Sequence, residues 1–116
     1  MQYVPTLRIL VANEPCAYRE VIASTFQRLR PDTDIHTVDP DNLDREIISF
    51  SPHLIVCSKL TAIVDLEVHA WVVLYPEGQP IVVSQVAGRR TTVSDIAFDG
   101  LLNIVERVEQ LTLIEM

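Results

Sequence analysis

The stretch WVVLYPEGQPIVVSQV, residues 71–86, decides how the sheet of this chain is wired. Two runs rich in β-branched residues flank Pro76-Glu77-Gly78-Gln79, where Pro presets one turn dihedral and Gly accepts the opposite sign of φ. A crossover between parallel strands takes a dozen or more residues, and only this short turn is available, so the two strands are expected to be antiparallel neighbours. AGRRTTV, residues 87–93, repeats the device with a tight turn at Ala87-Gly88 and a last strand from 89 to 93. A β-meander is expected to close the sheet.

The chain before residue 71 follows a different rule. LRILVA (7–12) is a short apolar run, and NEPCAYRE follows it, with Pro15 in the first turn of a helix. Tyr18, Ile22, Phe26 and Leu29 then fall at helical spacing before Pro31-Asp32 breaks the pattern. DIHTV is a second strand. VDPDNL starts a second helix, with Asp39 as cap, Pro40 at its first position and Val38 placed to pack on Leu43; Leu43, Ile47 and Phe50 form its inner face. SPHLIVCSKL (51–60) carries the third strand, and residues 59–70 leave room for a short helix or an irregular connection.

Strand and helix alternating over short connections predict right-handed βαβ crossovers and a parallel sheet with helices on both faces. The expected fold class is therefore α/β, three layers around a central sheet that starts parallel and ends as a meander. A C-terminal helix over about residues 95–110 closes it, capped by Ser94 and burying Phe98, Leu101, Leu102, Val105 and Val108. Ile104, Leu111, Leu113 and Ile114 widen its apolar band beyond one packed face. They form either a partner surface or a helix end folded into the same core.

Composition limits the functions. The 116 residues make one expected domain, with 48% hydrophobic and 22% charged residues, as in an ordinary globular protein. No apolar run approaches the ~20 residues of a membrane span, and no leader pattern opens the chain, so a cytoplasmic location is expected. A net charge of -7, with Arg89-Arg90 as the sole basic doublet, repels a phosphate backbone and argues against nucleic acid. Gly78, Gly88 and Gly100 are the only glycines, too few and too scattered for a nucleotide-cradling loop. His36, His53 and His69 have no metal-ligand spacing, and Cys16 and Cys57 form no CxxC pair, so no metal and no cofactor is expected.

RILVANEP at the first strand and SPHLIVCS at the third resemble the receiver domain of two-component response regulators, over about the first sixty residues. The resemblance implies an acidic pair after the first strand that holds Mg²⁺, a phosphoacceptor aspartate at the end of the third, a Ser or Thr after the fourth and a lysine after the fifth. The matching places here hold Asn13 and Glu14, then Ser58, then Tyr75-Pro76; the only lysine, Lys59, lies in a different segment. Aspartyl phosphorylation needs a carboxylate nucleophile, a metal that neutralises phosphoryl oxygens and a fixed cation. Asn13, Glu14 and Ser58 thus mark a degenerate receiver pocket with no catalytic residue.

The expected function is a non-catalytic signalling or regulatory domain that works through a protein partner or a second copy of itself, a homodimer being the expected form. A small-molecule sensor, or a small enzyme at the tips of the first and third strands, is the alternative.

Overall fold

The computed structural model describes residues 6–94 and 98–114 of the chain. In order, it contains β1 (Arg8–Ala12), α1 (Cys16–Leu29), β2 (Asp34–Thr37), α2 (Leu43–Phe50), β3 (Leu54–Cys57), α3 (Ala62–Glu67), β4 (Ala70–Leu74), β5 (Val82–Val86), β6 (Arg89–Val93) and α4 (Phe98–Ile114). The strands form one six-stranded sheet in the order β2-β1-β3-β4-β5-β6. β1 pairs parallel with β2 and β3, and β3 with β4, while β4–β5 and β5–β6 are antiparallel. The short turn at residues 76–79 therefore reverses the chain as its length requires.

The burial pattern explains why the central strands are continuous apolar runs. Every residue of β3 and β4 is buried, and so is β1 from Ile9 onward, so alternate side chains serve two different cores. Ile9, Val11, Leu54, Val56, Ala70, Val72 and Leu74 join Ile22 and Phe26 of α1 and Leu101, Ile104, Val105 and Val108 of α4. Leu10, Ala12, Ile55, Cys57, Trp71 and Val73 join Leu43 and Ile47 of α2 and Val64 of α3. β6, built from Arg, Thr and Val, is exposed along its whole length.

Local chemistry sets the element ends. Pro40 opens a single 3₁₀ turn over residues 40–42 whose cap, Asp39, accepts from the Asp41 N–H at 2.9 Å, and α2 continues directly from it. Val38 packs into the same core as Leu43. Thr61 caps α3 by accepting from the Val64 N–H, which satisfies a donor the helix leaves unpaired. Ala87 and Gly88 both have positive φ, 53° and 82°, the conformation that lets a two-residue hairpin follow the strand twist.

Some helix expectations change. Tyr18 and Leu29 are exposed, so Ile22 and Phe26 alone anchor the buried stripe of α1. α4 runs to Ile114, past the expected end at residue 110. Its expected start at residues 95–97, and with it the Ser94 cap, lies outside the described residues. Ile104, expected to widen the outer apolar band, is buried in the core with Val105 and Val108, so the fold itself takes up that side chain. Leu111 remains 36% exposed. The side chains of Leu113 and Ile114 lie outside the described part of the helix.

Candidate functional site

Parallel pairing brings the ends of β1 and β3 together. Ala12 is registered against Cys57, so the residues that follow, Asn13 and Ser58, emerge side by side at the same edge of the sheet. Ser58 Oγ accepts the Glu14 backbone N–H at 2.9 Å, and Asn13 Nδ2 lies 3.5 Å from the same oxygen. Asn13, Glu14 and Ser58 thus form one hydrogen-bonded group.

Asn13 is fully buried, and its Oδ1 has no partner among the described residues. Whichever way the carboxamide turns, Ser58 Oγ meets only one of its two ends. A buried carbonyl left without a donor costs about 1–3 kcal/mol, a cost that a purely structural position rarely carries.

A cavity of about 240 Å³ opens beside this group, lined by Ala12, Glu14, Pro40, Asp41, Leu43, Cys57, Ser58, Lys59 and Thr61. Lys59, placed in the wrong segment by the sequence reading, lines the same cavity as Glu14 and Ser58. Sequence reasoning missed Asp41 and Thr61. Each was legible only as a helix-start residue, and Thr61 also donates to Asp44 Oδ1 at 3.1 Å. Tyr75 stands apart, packed against the core of α1 and α4 in a left-handed conformation at φ 52°.

The donor set of Asn13, Glu14 and Ser58 does not fit Mg²⁺. Glu14 supplies the one carboxylate, Asn13 a neutral amide, and the Ser58 hydroxyl is engaged by a backbone N–H, whereas a hard cation takes about six oxygen ligands. Among the described residues no three His, Cys, Asp or Glu side chains cluster as a metal site.

Cys57 shares the cavity and is chemically quiet. Burial pushes its thiol up to about 12, against a smaller downward pull from a hydrogen bond with the Lys59 backbone. The nucleophile is the thiolate, so Cys57 is unreactive near neutral pH. Cys16 is exposed on α1, its Sγ 3.7 Å from Glu20 Oε1. Alkylation of the native protein at pH 7.5, read by peptide mapping, is expected to label Cys16 and spare Cys57 until denaturant is added. The thiol is held protonated in the folded state and ionises near 9 in the unfolded chain. Its contribution to stability is therefore complete below pH 9 and is lost as pH rises from 9 toward 12. A Cys57→Ala variant, measured over the same range, is expected to lose less stability on the alkaline side.

Compared with known proteins, the chain matches no family model, no curated protein and no solved structure. The fold and site define it as an α/β protein with a mixed six-stranded sheet, and with a polar group and a small cavity at the ends of its first and third strands. Among the described residues no helix is long and apolar enough to cross a membrane.

Proposed function

We propose that this chain is a receiver-like, flavodoxin-type domain of three layers that has given up aspartyl phosphorylation and acts by binding a protein. The strand order β2-β1-β3-β4-β5 coincides with the flavodoxin-like doubly wound order, in which ligands sit where the order reverses, between β1 and β3. The meander departs from that pattern at β5, which runs antiparallel to β4.

One observation carries the reading. Ser58, at the place of the phosphoacceptor, holds the Glu14 N–H beside a buried, neutral Asn13. A serine hydroxyl needs a general base to attack phosphorus, and among the described residues its hydrogen-bond partners, the Glu14 N–H and Asn13 Nδ2, are not bases. Incubation with acetyl phosphate and Mg²⁺, read by intact mass, is expected to leave the mass unchanged. Gain of one phosphoryl group overturns the reading.

The cavity favours a second reading, a small-molecule sensor at the same strand tips, because Glu14, Cys57, Ser58 and Lys59 line it together. Its volume falls just below the ~300–1,000 Å³ of drug-sized ligand sites, so its occupant is smaller than a nucleotide. A thermal-shift screen of small charged metabolites separates the two readings. A ligand at a hundred times its Kd adds about 2.7 kcal/mol to stability, and a partner-binding domain shows no such rise.

A further inference from the structure

β6 is the outer strand of the sheet, and among the described residues nothing pairs with its free edge. Such an edge offers a row of unpaired N–H and C=O groups, which proteins blunt with bulges, prolines or projecting charges. β6 has neither a bulge nor a proline, and its two charges are Arg89, beside the turn, and Arg90. Its register with β5 is unbroken over five pairs, from Val82↔Val93 to Val86↔Arg89, and it contains no proline. Arg90 is folded back over the sheet: its guanidinium lies 5.0 Å from the Trp71 ring centroid, with one nitrogen 2.9 Å from Asp65 Oδ1 and 3.0 Å from Gln85 Oε1.

Building on the proposal that this domain works by binding protein, we infer that the partner is a second copy, joined β6 to β6 in antiparallel pairing centred on Thr91. The ladder parity fits. The two-residue turn at Ala87-Gly88 closes on the Val86↔Arg89 pair, so Arg89, Thr91 and Val93 direct their backbone groups to β5. The backbone groups of Arg90 and Thr92 then face outward. Centring on Thr91 sets Arg90 of each copy opposite Thr92 of the other, and these are the pairs able to exchange both hydrogen bonds. Thr91 meets its own symmetry mate, a favourable cross-strand pair, and the two-fold is isologous.

The side chains are self-complementary as well. Arg89, Thr91 and Val93 share the face of Val82 and Val86, which is the α4 side of the sheet. Val93 is 39% exposed, an apolar side chain at an open edge. The pairing places it opposite Arg89 of the other copy, at the mouth of a groove of about 320 Å³ whose lining includes Arg89, Arg107 and the exposed Leu111. Val93 of each copy thus meets Val86, Ala87 and Leu111 of its mate beside the stems of Arg89 and Arg107, and no two arginines stand directly opposite. The strand is short and each copy carries a charge of -7, so the dimer is weak, concentration-dependent and tightened by salt.

Sedimentation of the full chain over a wide concentration range tests the pairing. The wild-type chain is expected to show a monomer–dimer equilibrium. Thr92→Pro removes an outward-facing N–H, leaves the bonds to β5 intact and is expected to give a folded monomer, its fold checked by far-UV circular dichroism. Val93→Lys opposes like charges across both symmetric pairs and is expected to weaken the dimer about tenfold, and adding Arg89→Glu is expected to restore it. A chain that stays monomeric at every concentration, a dimer indifferent to Thr92→Pro, or a charge swap without rescue overturns the inference. A monomer that also fails to take a phosphoryl group removes this partner while leaving the proposed loss of phosphorylation standing.

Discussion

Trp71→Ala is expected to cost about 3–5 kcal/mol, the range for removing a buried tryptophan, and so to bring the domain to the edge of unfolding at room temperature. Trp71 is fully buried in β4, registered between Ile55 of β3 and Gln85 of β5. It is among the largest of the fully buried side chains, and it fills the core that α2 and α3 cover. Its loss also removes the surface on which Arg90 rests. The Arg90–Asp65 ion pair cannot compensate: both groups are about half exposed, and such pairs contribute about 0–1 kcal/mol. Urea unfolding followed by far-UV circular dichroism measures the effect. With an m value of about 1–3 kcal/mol per molar urea, the midpoint is expected to fall by about 2 M. A loss below about 1 kcal/mol is incompatible with this placement of the ring.

The same test on the other core uses Phe26→Ala. Phe26 is fully buried on α1 and meets Phe98 of α4 with ring centroids 5.0 Å apart and planes tilted by 46°, a geometry that adds about 0.5–1.5 kcal/mol to the burial itself. The total expected loss is again about 3–5 kcal/mol. Because Ile22 is the only other buried residue of α1, the helix is expected to loosen as a unit, and the ion pair from Arg30, at the C-terminal end of α1, to Glu109 of α4 loosens with it. Amide exchange in α1 is expected to accelerate before exchange in β3 and β4. Leu29→Ala is the control: its side chain is half exposed and should move stability by under about 1 kcal/mol. Trp71 and Phe26 belong to separate cores, so the two losses should add. Their sum, about 6–10 kcal/mol, equals or exceeds the stability of most domains of this size, and the double variant is expected to be unfolded.

The site was legible in parts, for a definite reason. Asn13, Glu14 and Ser58 were legible through the resemblance of the segments around the first and third strands to receiver motifs, and parallel register carries Asn13 and Ser58, each next after its strand, to the same edge. Asp41, Lys59 and Thr61 were not assigned to it. They reach the cavity from loops whose course depends on how α2 and α3 settle on the sheet, and no local pattern encodes that. The burial of Asn13 was equally hidden, because a polar residue after a strand reads as exposed until neighbouring elements cover it.

By itself the sequence determined the alternation of strands and helices, and the switch from parallel to antiparallel pairing. Both follow from short-range rules: the period of apolar residues, and the number of residues a connection must span. The same rules mark the strands buried on both faces, since β3 and β4 are apolar without alternation whereas β6 is polar except for Val93. The tertiary structure decided which helical residues use their apolar surface. Tyr18 and Leu29 share the spacing of Ile22 and Phe26 yet stay exposed, while Ile104, outwardly redundant, is drawn into the core. It alone folded Arg90 over Trp71 and left the edge of β6 open, because charge placement and edge exposure depend on contacts between residues distant in sequence, and those distances exist only once the chain has packed.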